Sequence, residues 1–145
     1  MIGILVVTHG QLARELVTAA EMIVGDIPNV GAVSIGWHDD PDDAQEEILE
    51  GIKRVETGEG TVVLTDMFGG TPSNLSLAFL EKDRVEVVTG VNLPMLIKLV
   101  NLRSSEGVDL EKAARQVSAQ GKESICLASD LLAAKNTLQE EGPGG

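Results

Sequence analysis

Residues 2–10, IGILVVTHG, set a nearly unbroken run of Ile, Leu and Val directly ahead of Thr8, His9 and Gly10. A short apolar run without polar alternation reads as a strand buried on both faces, the kind found in parallel sheets. The same pattern recurs in Thr61–Thr65 (TVVLT), and Val30–Ile35 and Val85–Thr89 read as further strands. Helical patterns separate them. Leu12, Leu16, Ala20 and Ile23 share one face of a helix over 11–24, with Gly25 as its stop. Asp40-Pro41 opens a second helix, with Ala44, Ile48, Ile52 and Val55 on one face and Asp42, Asp43, Glu46, Glu47 and Glu50 on the other. Thr71-Pro72 opens a third by the same cap-then-proline pattern and carries it to about Glu81.

The rest of the chain extends this alternation. Pro94–Leu102 reads as a short helix, and Asp109 caps another that stops at Gly121. Ser124–Ala128 is a candidate fifth strand, 129–138 is weakly helical, and 139–145 reads as a disordered tail or linker stub behind a single domain over 1–138. Strands alternating with helices give an α/β fold with a mainly parallel sheet. Right-handed crossovers favour a doubly wound, flavodoxin-like order of 2-1-3-4. In that order the functional crevice lies outside the carboxyl ends of strands 1 and 3, where the winding direction switches.

Composition narrows the chemistry. The chain has 145 residues and a formal net charge of −12, which makes nucleic acid and anionic membranes poor partners. A single cysteine, Cys126, fits a reducing, cytoplasmic setting and allows no internal disulfide. It falls in an apolar run and is expected in the core. No apolar run has the ~20 residues needed to span a bilayer. Aromatics are only Trp37, Phe68 and Phe79, which argues against a stacking surface for bases or flavins. GxGxxG, GxxxxGK[ST] and the nucleophile elbow are all absent.

The two loops at the switch point hold Thr8-His9-Gly10 and Asp66-Met67-Phe68-Gly69-Gly70-Thr71. A carboxylate beside a histidine takes the N–H of one ring nitrogen, fixes the tautomer, and leaves the other nitrogen as nucleophile or base. Gly10, Gly69 and Gly70 allow close approach, two helices begin there, and Thr71 and Ser73 add hydroxyls, so the crevice suits a phosphate-sized anion. The bland alternative makes His9 a polar strand end and Asp66 a helix cap. No metal is expected: the acids after His38 form a helix cap and a solvated first turn. A phosphoaspartate receiver also ends strand 3 in Asp, but the acidic pair expected after strand 1 is replaced here by Thr8-His9.

Three stretches, ILVVTHG (4–10), DMFGGTPSN (66–74) and GVNLPML (90–96), together resemble enzyme IIA of the mannose family of the bacterial phosphoenolpyruvate-dependent sugar phosphotransferase system. The run TAAEMIVGDIPNVG (18–31) adds to the likeness, which spans about residues 2–128. The resemblance implies a phosphoryl carrier without a cofactor: His9 accepts the group from the phosphohistidine of HPr and passes it to a histidine of enzyme IIB. It implies that Asp66 orients His9 and that the hydroxyl of Thr71 lies by the phosphate. It also implies a fifth, antiparallel strand exchanged between two subunits of a homodimer; several members fuse this unit to enzyme IIB, and since the sequence ends at Gly145 any enzyme IIB is expected on a separate chain. The alternative from another class is a non-catalytic flavodoxin-like module that binds a small anion or a partner protein.

Overall fold

The computed structural model describes residues 1–36 and 39–140, with backbone only for 136–140. His38 and residues 141–145 of the expected tail lie outside the described residues. Four strands, β1 (Gly3–His9), β2 (Val30–Ile35), β3 (Thr61–Thr65) and β4 (Val85–Thr89), form one parallel sheet in the order β2-β1-β3-β4. The expected order 2-1-3-4 is therefore found. The helices are α1 (Leu12–Val24), α2 (Pro41–Val55), α3 (Thr71–Leu77), α4 (Leu93–Leu102), α5 (Leu110–Glu123) and α6 (Ala128–Glu140).

The unalternated strands are explained by cover on both faces. Ile4, Val6, Val62 and Leu64 pack against Ala13 and Ala20 of α1 and against Leu96, Leu99 and Val117 of α4 and α5. On the other face Leu5, Val7, Val33 and Val63 pack against Ala44, Ile48 and Ile52 of α2, with Leu75 and Phe79 beside them. Each such Val, Leu or Ile side chain taken out of water contributes about 1.5–3 kcal/mol. Two half-cores back to back thus hold the sheet, and its strand ends are left to carry the loops.

Capping follows the sequence in part. The Asp40 carboxylate accepts the Asp42 N–H at 2.8 Å, with Pro41 in the first turn of α2. Asp109 likewise caps α5. Thr71, however, is the first residue of α3 and Gly70 is its cap. α3 also ends at Leu77 rather than near Glu81: Glu81 and Val85 exchange main-chain hydrogen bonds at 3.1 and 2.9 Å, closing a turn through Asp83 at φ 63°. α5 runs through Gly121 to Glu123. Gly121 is buried against α4, where a Cβ would lie 2.6 Å from Met95 Sδ, so close packing rather than a helix stop explains that glycine.

Ser124–Ala128 forms no strand in the single chain. Ser124 caps α5, the Ile125 N–H reaches the Lys122 carbonyl at 3.4 Å, and α6 begins at Ala128. These contacts tie the stretch to the end of α5. Ile125 and Leu127 are exposed, as is Cys126, which the apolar pattern had placed in the core. Gln139 and Glu140 close α6 instead of opening the tail.

Candidate active site

β1 and β3 are neighbours in register, with Val7 opposite Thr65. The next residues along each strand therefore emerge side by side at the carboxyl edge of the sheet. Leu5 and Val7 face α2 and α3, and strand alternation sends His9 to that same face. Asp66 follows Thr65 directly and meets it.

One carboxylate oxygen, Asp66 Oδ2, accepts both the His9 ring at Nδ1, 2.7 Å away, and the His9 main-chain N–H at 3.0 Å. The other oxygen accepts the Met67 N–H at 3.0 Å. Burial opposes ionisation of Asp66, but these donors and the His9 charge outweigh it and hold the carboxyl below its ordinary range. With Nδ1–H donated to a carboxylate, Nε2 carries the lone pair. The His9 side chain is 51% exposed while that of Asp66 is 14% exposed. The anchor is thus sheltered and the imidazole half exposed.

The glycines divide into distinct roles. Gly10 has φ 55° and turns the chain from β1 into α1, while its N–H is taken by the Ile35 carbonyl at 3.0 Å. It shapes the site without offering that donor. The turn is fixed further by Thr8 Oγ1, which accepts the Ala13 N–H at 2.7 Å. Gly70 lies against the imidazole: a Cβ there would come within 2.8 Å of His9 Cε1. Gly69 has φ 87°. The N–H groups of Gly69, Gly70 and Thr71 have no partner among the described residues. Ser73 is fully buried and its hydroxyl has no partner among the described residues. It sits behind the crevice, whereas Thr71 is exposed at its edge.

His9, Gly10 and Thr71 border a cavity of about 510 Å³ whose far wall is Ile35, Gly36, Asp39, Pro41 and Ala44. The sequence reading searched the ends of β1 and β3 and missed this wall. The signal was present, because β2 adjoins β1 in the same order and its carboxyl end opens on the same edge. Asp39 folds back onto the β2 terminus, where its carboxylate accepts the Gly36 N–H at 2.5 Å. Among the described residues, no group of three or more His, Cys, Asp or Glu is placed to hold a metal ion. No helix among them is long and apolar enough to cross a membrane.

The family model described as PTS system fructose IIA component matches residues 3–117, which include His9 and the whole Asp66–Thr71 loop. The chain belongs to this PTS IIA family. A PTS system fructose-specific EIIA component of Bacillus subtilis (strain 168) is 28% identical over 142 residues, 97% of this chain and 96% of the relative. The PTS system mannose-specific EIIAB component of Escherichia coli (strain K12) is 32% identical over 106 residues, 72% of this chain. The chain spans only 33% of that two-part relative's length. A crystal structure of phosphotransferase system component EIIA from Streptococcus agalactiae matches with a TM-score of 0.80 at 26% identity, covering 90% of this chain and 99% of that one. The match to the PTS IIA family model ends before Ser124–Ala128 and α6. The mannose-type likeness read from three short motifs thus extends to the fold and the four-stranded parallel order.

Proposed function

We propose that this PTS IIA-family chain is a phosphoryl carrier whose acceptor atom is His9 Nε2. The phosphoryl group moves in line from a phosphohistidine of HPr. The donor N–P bond breaks, the Nε2–P bond forms, and the Nδ1 proton stays in its bond to Asp66. The second half-reaction runs the same way toward a histidine of enzyme IIB, which phosphorylates the sugar or relays the phosphorylation state. Transfer between two imidazoles asks the protein mainly for positioning and for donors to the equatorial oxygens. The N–H groups of Gly69, Gly70 and Thr71 and the Thr71 hydroxyl are suited to supply them, while Gly10 and Ser73 hold the shape of the crevice. No cofactor enters this scheme, and the setting is cytoplasmic.

The observation that carries this reading is the 2.7 Å contact between Asp66 and His9 Nδ1, with half of the imidazole exposed at the sheet edge. The protein acts as a homodimer in this proposal, with Ser124–Ala128 pairing antiparallel to a strand of the second subunit. Exposed Ile125, Leu127, Leu131 and Leu132 support that exchange. The test is intact mass after incubation with phosphoenolpyruvate, the general phosphotransferase enzyme and HPr. Wild type gains one phosphoryl group and His9→Gln gains none. Anion binding without covalent gain identifies a non-catalytic module instead.

A further inference from the structure

A carrier must give up its phosphoryl group as readily as it takes it, and its two states differ mainly in charge. Phosphorylation adds about two negative charges at the imidazole. The N–H groups suited to hold them favour the phosphorylated state, and one fixed group opposes it. β1 and β2 pair with His9 opposite Ile35, and neighbouring strands lie about 4.8 Å apart. Gly36 follows Ile35 and donates its N–H to an Asp39 carboxylate oxygen at 2.5 Å. Asp39 is thereby held on the end of β2, one strand spacing across from His9 and within about 10 Å of it. Both residues line the same cavity.

Nothing on the page neutralises this carboxylate. Asp39 forms no ion pair among the described residues, and no Lys or Arg lines the cavity. The positive end of α2 is already met by Asp40, whose carboxylate accepts the Asp42 N–H at 2.8 Å, and by Asp42 and Asp43 in its first turn. Asp66 differs, because its carboxylate is bonded to the ring at Nδ1 and to two main-chain N–H groups that offset its charge.

We propose that Asp39 sets the phosphoryl-transfer potential of His9. Its fixed carboxylate repels the phosphoryl oxygens on Nε2, raises the energy of the phosphorylated state against the free one, and so favours passage of the group to the next histidine. Asp39 acts through space and takes no part in making or breaking the N–P bonds. The proposal rests on the carrier reading given above.

The test is the equilibrium of phosphoryl exchange between HPr and the full chain, approached from both directions and read by intact mass. Asp39→Asn keeps an acceptor for the Gly36 N–H and removes the charge. It is expected to shift the equilibrium toward the phosphorylated chain by about three- to tenfold at low salt, as one and two charges at this separation imply. The shift is expected to fade near 1 M salt, where charges are screened within about 3 Å. Asp39→Ser, also uncharged, gives the same reading should the Asn variant fold poorly. Glu47→Gln, exposed on α2, changes the net charge by the same amount and is expected to leave the equilibrium where it is. An equilibrium unchanged in Asp39→Asn overturns the proposal, as does an equal shift in Glu47→Gln or a shift undiminished at 1 M salt. Slower exchange in both directions at an unchanged equilibrium also overturns it and makes Asp39 a contact only. In each of these cases the carrier reading stands. A wild type that takes no phosphoryl group from HPr overturns the carrier reading, and the role of Asp39 with it.

Discussion

At His9 and Asp66 a single carboxylate oxygen serves the ring and the main chain of the same residue, so orientation of the imidazole is coupled to the end of β1. Asp66→Asn keeps the size but places an NH₂ group opposite Nδ1 in one of its two orientations and removes the carboxylate charge from the hydrogen bond. Phosphoryl transfer from HPr is expected to slow on the order of ten- to a thousandfold, since positioning contributes more here than base strength. The melting temperature should change little by comparison, and an unslowed variant would reduce Asp66 to a loop anchor. The pH dependence of stability follows from the sign of its shift. The carboxyl is held below its usual value of 3.8, so the ionised, hydrogen-bonded carboxylate stabilises the fold above about pH 4, and this contribution disappears as pH falls through the lowered folded value. The advantage of wild type over Asp66→Asn in melting temperature should therefore be full at neutral pH and shrink below about pH 4. Gly70 offers a separate test. Its φ of −83° and ψ of 166° suit any residue, so Gly70→Ala carries little backbone strain, yet its Cβ would come 2.8 Å from His9 Cε1. The ring must move, and transfer is expected to fall on the order of a hundredfold with the fold intact, as circular dichroism would verify.

Among the elements, β1 and α2 approach unusually closely. A Cβ on Gly3 would lie 2.5 Å from the Val55 carbonyl oxygen, a main-chain atom that cannot rotate away. Gly3→Ala is expected to destabilise by about 1–3 kcal/mol in chemical denaturation. That contact was invisible in the sequence, where Gly3 merely interrupts an apolar run. β1 and β3 were legible because runs buried on both faces need no partner to be recognised. The pairing of His9 with Asp66 was legible because strand order places the ends of β1 and β3 together. Features set by distant contacts were not. Gly121 resembles a helix stop until Met95 is seen against it, and the end of α3 depends on the Glu81–Val85 pairing across a turn. The bond from the Gly10 N–H to the Ile35 carbonyl was likewise invisible, because it joins the end of β1 to a residue 25 positions away. The α2 wall of the cavity was missed because the switch-point rule names only the ends of β1 and β3, although β2 adjoins β1.

For the molecule as a whole, the proposed strand exchange turns on the C-terminal arm. Ile125 is 80% exposed and Leu127 66%, and β4 ends the sheet with an open edge, an arrangement that invites pairing with another chain. Sedimentation at micromolar concentration is expected to give twice the 15.3 kDa chain mass. Removal of residues 122–145 is expected to cause aggregation or loss of folding, and a soluble, well-folded full-length monomer would count against strand exchange. The central claim is the identity of the atom that carries the phosphoryl group, and ¹⁵N–³¹P correlation NMR on the phosphorylated, ¹⁵N-histidine-labelled protein measures it directly. The expected result is a phosphoramidate on Nε2 of His9, stable in alkali and lost in acid. Phosphate on Nδ1, on His38 or on a carboxylate would contradict it.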